Sequence, residues 1–143
     1  MMHNNQPPMR TWLILAAMLI VAWLLVISGN AKAAEWGPML RKDFAAAQTY
    51  WGGPSPLCSS IEKRVVAGAP GELGEASQPE SGYYGPCHLY IAQTIIYQPQ
   101  LTCTTMIHED GHLHGLEHST SPADVMYPEF MFVPGVCKRL WPS

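Results

Sequence analysis

Residues 108–118 read His-Glu-Asp-Gly-His-Leu-His-Gly-Leu-Glu-His, the spacing H-E-x-x-H-x-x-G-x-x-H, with a methionine following at Met126. No other stretch constrains the chain as strongly. Histidines at i and i+4 stand one helical turn apart on one face, so His108 and His112 can reach a single metal ion. Gly115 falls where a helix needs a residue able to take positive φ in order to stop and turn. That turn brings His118, three residues on, back as a third ligand. Three histidines leave the fourth position of a tetrahedral zinc ion open to water, which marks a catalytic rather than a structural site. Glu109 lies beside them, placed to take a proton from that water and deliver it to a leaving amine, so the pattern points to attack on a peptide carbonyl. A bare H-E-x-x-H arises by chance; five fixed positions in eleven residues, with a companion methionine, are far more specific.

A helix must carry this pattern, running from about Leu101 or Thr102 to Leu113, capped by Thr102, Thr104 or Thr105, with Met106 and Ile107 facing the core. Upstream, residues 35–51 (EWGPMLRKDFAAAQTYW) space Met39, Leu40, Phe44, Ala47 and Tyr50 or Trp51 as an amphipathic helix would. Pro38 suits its first turn, and Gly52-Gly53-Pro54 its stop. Residues 60–67 (SIEKRVVA) predict a strand, and residues 68–86, with five glycines and three prolines, a loop holding a short strand near Leu73–Ala76. His88–Gln93 and Thr94–Tyr97 predict one or two further strands, ended by Pro99. The sum is an α+β domain with a small mixed or antiparallel sheet, an N-terminal helix and a metal-binding helix.

Before this domain, Arg10 precedes a charge-free apolar run at residues 11–27, followed by Ser28-Gly29-Asn30 and Ala31-Lys32-Ala33. That order reads as a secretory signal peptide over residues 1–33, cleaved before a domain at 34–143. The competing reading is an uncleaved membrane segment at residues 11–27, since seventeen residues is the short end of what spans a bilayer. Either way the domain is exported, secreted in the first case and membrane-anchored in the second. Cys58, Cys87, Cys103 and Cys137 all follow the apolar run, and an even count in a small exported domain reads as two disulfides, with three pairings open. From residue 34 onward, six basic and eleven acidic residues give 6 − 11 = −5. No basic patch interleaved with aromatic residues points to nucleic acid.

The run His108 to Ser119, with Pro122-Ala123-Asp124-Val125-Met126-Tyr127-Pro128 downstream, resembles the metzincin zinc peptidases and, among them, the matrixins. The resemblance implies a metzincin-like fold and one catalytic zinc ion held by His108, His112 and His118. It also implies Glu109 as general base and Met126 in a tight turn beneath the metal. Gly111 and Gly115 fall where that family favours glycine. Metzincins in which a tyrosine two residues after the methionine binds zinc are less similar, because Pro128 stands there. Neither a histidine set for a second zinc nor an acidic calcium cluster accompanies the motif. On this layout Cys103, at the start of the zinc helix, pairs with Cys137 beyond the methionine turn. Cys58 and Cys87, each ahead of an expected strand, pair with one another.

The implied activity is that of a monomeric zinc endopeptidase acting on protein or peptide substrates. The alternative is a non-catalytic exported module that keeps a metal site for stability or binding. Away from the motif's fixed positions the plainer readings hold: His88 as a strand histidine, His114 as a solvated or supporting one, Asp110 as solvated. Trp51, Tyr83, Tyr84, Tyr90 and Tyr97 read as core or cleft wall. The cleft walls after the turn fall to Pro128–Pro134.

Overall fold

In the computed structural model, which describes residues 36–79 and 84–143, Pro38 opens the first helix, α1 (Pro38–Tyr50). Proline fits the first helical position because its missing N–H would have no partner there. Leu40, Phe44 and Ala47 form one buried stripe on this helix, and Trp36 packs edge-on against Phe44 with centroids 5.8 Å apart. The expected leader, the apolar run 11–27, and Tyr83 lie outside the described residues.

Three strands follow: β1 (Cys58–Val66), β2 (Gly74–Ser77) and β3 (Gly85–Ala92), in the spatial order β1-β3-β2. β1 runs parallel to β3 and β2 antiparallel to it, so the sheet is mixed and β2 is an edge strand. In β3 the side chains of Cys87, Leu89 and Ile91 alternate inward and are fully buried, as the twofold period of a strand requires. Thr94–Tyr97 does not continue the sheet. A 3₁₀ turn (Gln93–Ile95) reverses the chain, Ile95 is buried in the core, and Tyr97 is 83 % exposed. Tyr84 is also exposed, so neither tyrosine is a core residue.

The second helix, α2 (Pro99–Leu113), lies between α1 and the sheet. Pro99 does not merely end the preceding stretch; it is the first residue of this helix, which therefore begins two to three residues earlier than the spacing indicates. No threonine caps it. Thr102 instead turns its hydroxyl to the carbonyl of Ile95 (2.6 Å), tying the helix to the 3₁₀ turn, and Thr104 to that of Gln100 (2.8 Å). A short α3 (Gly135–Leu140), with no counterpart in the sequence reading, closes the chain against α1 and α2.

Disulfides join Cys58 to Cys87 and Cys103 to Cys137. The first ties β1 to β3 and the second ties α2 to α3. Their sequence separations of 29 and 34 residues correspond to about 3.5–4 kcal/mol each in the loop-entropy picture. For a chain this small they substitute for core that it lacks room to build.

Beyond α3, Trp141 donates its indole N–H to Asp43 Oδ1 (2.6 Å) while Lys42 sits over its ring. Asp43 is fully buried and its second oxygen has no hydrogen-bond partner among the described residues. Burial outweighs the Trp141 hydrogen bond and Lys42, raising its pKa to about 6 from 3.8. The folded protein thus holds this proton more tightly than the unfolded chain, so Asp43 lowers stability as pH climbs from about 4 to 6, by on the order of 2–3 kcal/mol. Urea titrations should show Asp43→Asn losing less stability than wild type across that window. Parallel pH profiles would mean that Asp43 does not ionise in the folded state.

Candidate metal centre

The centre is built on the last turns of α2. His108 is buried, His112 half-buried and His118 exposed, and their ligand atoms lie within 4.8 Å of one another. His112 Nε2 is 3.1 Å from His108 Nε2 and 3.2 Å from His118 Nε2. Two of these rings are fixed from behind. His108 Nδ1 lies 2.8 Å from the carbonyl of Val125 and His112 Nδ1 2.8 Å from that of Leu116. A carbonyl only accepts, so each Nδ1 carries its proton and donates it, and in the neutral ring the Nε2 lone pair is left bare. Bare nitrogens facing one another at this distance repel unless a cation lies among them. Nitrogens of a tetrahedral zinc site, with Zn–N about 2.0–2.1 Å, are about 3.3 Å apart, so the donor set and its spacing fit that ion.

The route from His112 to His118 is a Schellman turn. Leu116 N–H donates to the Gly111 carbonyl (3.1 Å) and Gly115 N–H to that of His112 (2.9 Å). Gly115 sits at φ +85°, which an L side chain rarely tolerates. The chain then runs on to His118 and through a second turn whose ends meet at Ser119 N–H to the Met126 carbonyl (2.9 Å). Inside that turn Asp124 Oδ1 accepts the N–H of Met126. It is this turn that presents the Val125 carbonyl to His108.

Met126 is buried beneath the helix against Gly111. A Cβ at Gly111 would collide with Met126 Sδ and come within 2.9 Å of Trp51 Cζ2. The absence of a side chain at position 111 thus lets the methionine, α2 and the end of α1 close on each other.

Glu109 points the other way, packing on β2 at Gly74 and lining an open cleft of about 460 Å³ with His108, His118 and Phe130. Burial, with Glu75 and Glu72 adding, raises its pKa to about 8. Burial likewise lowers that of His108. Phe130 packs on the His108 ring at 5.6 Å and separates the cleft from an apolar cavity of about 550 Å³ bounded by Leu101, Thr104, Val133 and Trp141.

The other singled-out residues fall as follows. Asp110 is not solvated: it is fully buried, neither carboxylate oxygen has a hydrogen-bond partner among the described residues, and burial raises its pKa to about 6. The His114 ring, one turn on, has its Nδ1 4.0 Å from Oδ2. His114 is half-buried on the side away from the three histidines and spans from the Asp110 carbonyl (2.8 Å) to that of Gly53 (3.2 Å). His88 lies on β3 and pairs with Glu62 on β1 at 2.7 Å. Sequence reasoning missed the residues that brace the helix end. Trp51 Nε1 donates to the Ile107 carbonyl (2.8 Å), Ser55 Oγ to that of Leu113 (2.6 Å) and Gln78 Nε2 to that of His112 (2.5 Å). The indole of Trp51 was readable as a core contact, but Ser55 and Gln78 carry no local signal.

The matrixin (peptidase M10) family model matches residues 59–137, more than half of the chain and the whole stretch from β1 to Cys137. No curated protein and no solved structure matches it.

Because the close packing at Gly111 is backbone against side chain, Gly111→Ala is expected to cost about 1–3 kcal/mol and to weaken zinc binding. Thermal melts with and without added zinc measure both effects. A variant that melts like wild type and gains as much from zinc would show that Met126 has room to withdraw.

Proposed function

The chain belongs to the matrixin family, and from that premise we propose that it is a zinc-dependent endopeptidase that cleaves proteins outside the cytoplasm, with Glu109 as general base. The observation that carries the reading is the convergence of three Nε2 atoms, two of them from His108 and His118, which line the same cleft as the buried carboxylate of Glu109. His108, His112 and His118 would hold the ion. When bound, zinc supplies Lewis acidity toward a water and a substrate carbonyl.

The chain's own residues do the rest. Glu109 accepts a proton from the attacking water and passes it to the nitrogen of the departing amine. In the cleft its carboxyl pKa is raised by burial, and a cation held at the histidines would favour the ionised form, which would match the base to near-neutral operation. β2 has β3 on one side and no strand on the other among the described residues, and the segment Gly71–Gly74 lines the cleft. An extended peptide can pair along that free edge, which fixes the scissile bond relative to Glu109. The apolar cavity behind Phe130 takes a neighbouring apolar side chain. Action outside the cytoplasm is supported by the pairing of all four cysteines in disulfides. Among the described residues no helix is long and apolar enough to cross a membrane. The domain at 34–143 works as a monomer in this reading.

Zinc stoichiometry and cleavage of casein or a peptide library, measured for wild type and Glu109→Gln, test the proposal. Both proteins are expected to bind one zinc ion, and the variant to lose roughly 10²–10⁴-fold in kcat. If both bind zinc and neither cleaves anything, the domain is a metal-binding module instead.

A further inference from the structure

The cleft's charge is one-signed. Its charged lining residues are Glu72, Glu109 and Glu129, and among the described residues no lysine or arginine lines it. Glu72 stands in the segment before β2 and Glu129 in the one after the Met126 turn, so the two carboxylates reach the same cleft from separate parts of the chain. Both residues are exposed, and among the described residues neither takes part in an ion pair. Glu72 uses one oxygen to accept the N–H of Ala69 (3.2 Å). Glu75, on β2, adds to the negative potential that Glu109 experiences.

The basic residues among those described are elsewhere. Arg41 and Lys42 lie on α1, Lys63 and Arg64 on β1, and Lys138 and Arg139 on α3. Several are engaged there: Arg64 pairs with Glu62, Lys63 lies over Phe44 and Lys42 over Trp141. With a divalent ion held at the histidines, Glu72 and Glu129 would remain in the lining as exposed carboxylates with no cation beside them among the described residues. Desolvating these carboxylates against an apolar or acidic peptide costs free energy, whereas a substrate cation would satisfy them.

We infer that this cleft selects peptides with lysine or arginine within a few residues of the scissile bond, recognised by Glu72 and Glu129 in its lining. The inference rests on the proposed endopeptidase reading of the same site. Each exposed pairing is worth roughly a 1.5- to fivefold preference and is screened by salt over about 10 Å.

Short fluorogenic peptides that differ only in carrying lysine, glutamine or glutamate on either side of the cleaved bond test it with the zinc-loaded full chain. Expected is an order in kcat/KM of lysine over glutamine over glutamate, about fivefold in total or more at low salt and shrinking at high salt. The Glu72→Gln/Glu129→Gln double variant should bring the ratio toward one. Equal rates across the series, or a ratio that the double variant leaves intact, overturn the inference. If no peptide is cleaved, the endopeptidase reading fails, and fluorescence anisotropy with labelled lysine and glutamine peptides decides the charge preference separately. Tighter binding of the lysine peptide supports it, and equal binding overturns it.

Discussion

Two backbone carbonyls, those of Val125 and Leu116, take the Nδ1 protons of His108 and His112, and most of the fold around the centre serves to keep those carbonyls in place. The Leu116 carbonyl is set by the Schellman turn at Gly115, so it follows from where α2 ends. The Val125 carbonyl is set by the turn that Ser119, Asp124 and Met126 tie together. Tautomer, ring orientation and ligand basicity all depend on these two acceptors. A shift of either turn would rotate an imidazole out of the common focus.

That demand explains why so much of a small domain is spent on burying α2. The helix carries buried Thr102, Thr104, Thr105, His108, Glu109 and Asp110, which a core of ordinary economy would exclude. Thr102 and Thr104 are made tolerable by bonds to nearby carbonyls, but Thr105 Oγ1 and both oxygens of Asp110 have no partner among the described residues. Each such group costs on the order of 1–3 kcal/mol. The two disulfides offset this from outside the site, one across the sheet and one from α2 to α3, where Cys137 and Trp141 hold the C-terminal segment against the helix.

How far the chain was legible follows the range of each interaction. The i, i+4 histidines, the stop at Gly115, the α1 stripe of Leu40, Phe44 and Ala47, and the alternation in β3 are consequences of local geometry, and local spacing reveals them. Pro99 was ambiguous, because proline ends a strand and begins a helix equally well. Thr94–Tyr97 looks β-branched and aromatic, but the chain has to reverse before Pro99, and burying Ile95 in a 3₁₀ turn achieves that. Asp110 read as solvated because nothing nearby in sequence announces that the fold will bury it. The contacts that brace the site are more remote still: Trp51 to Ile107 spans 56 residues, Ser55 to Leu113 58, and Gln78 to His112 34. A serine or glutamine that caps a carbonyl so far away leaves no periodic trace. The charge of the cleft was equally hidden, since Glu72 and Glu129 meet only through the fold.

The remote contacts converge on one place, the C-terminal turn of α2, and that convergence has a physical reason. A helix end exposes carbonyls that its own ladder cannot satisfy. Here His112 gives its carbonyl to Gly115 N–H and Gln78 Nε2, Leu113 to Ser55, and Asp110 to His114. Gln78 comes from just beyond β2, Ser55 from the loop after α1, and His114 reaches that loop at Gly53. The three donors therefore grip the turn from the sheet side and the α1 side together. A helix terminus left to water alone would fray, and His112 lies within that terminus. Held from both sides, the last turn keeps His112 in register with His108 and starts the path to His118 from a fixed point. The histidine frame is thus a property of the fold's long-range hydrogen bonds as much as of the eleven-residue spacing that announces it.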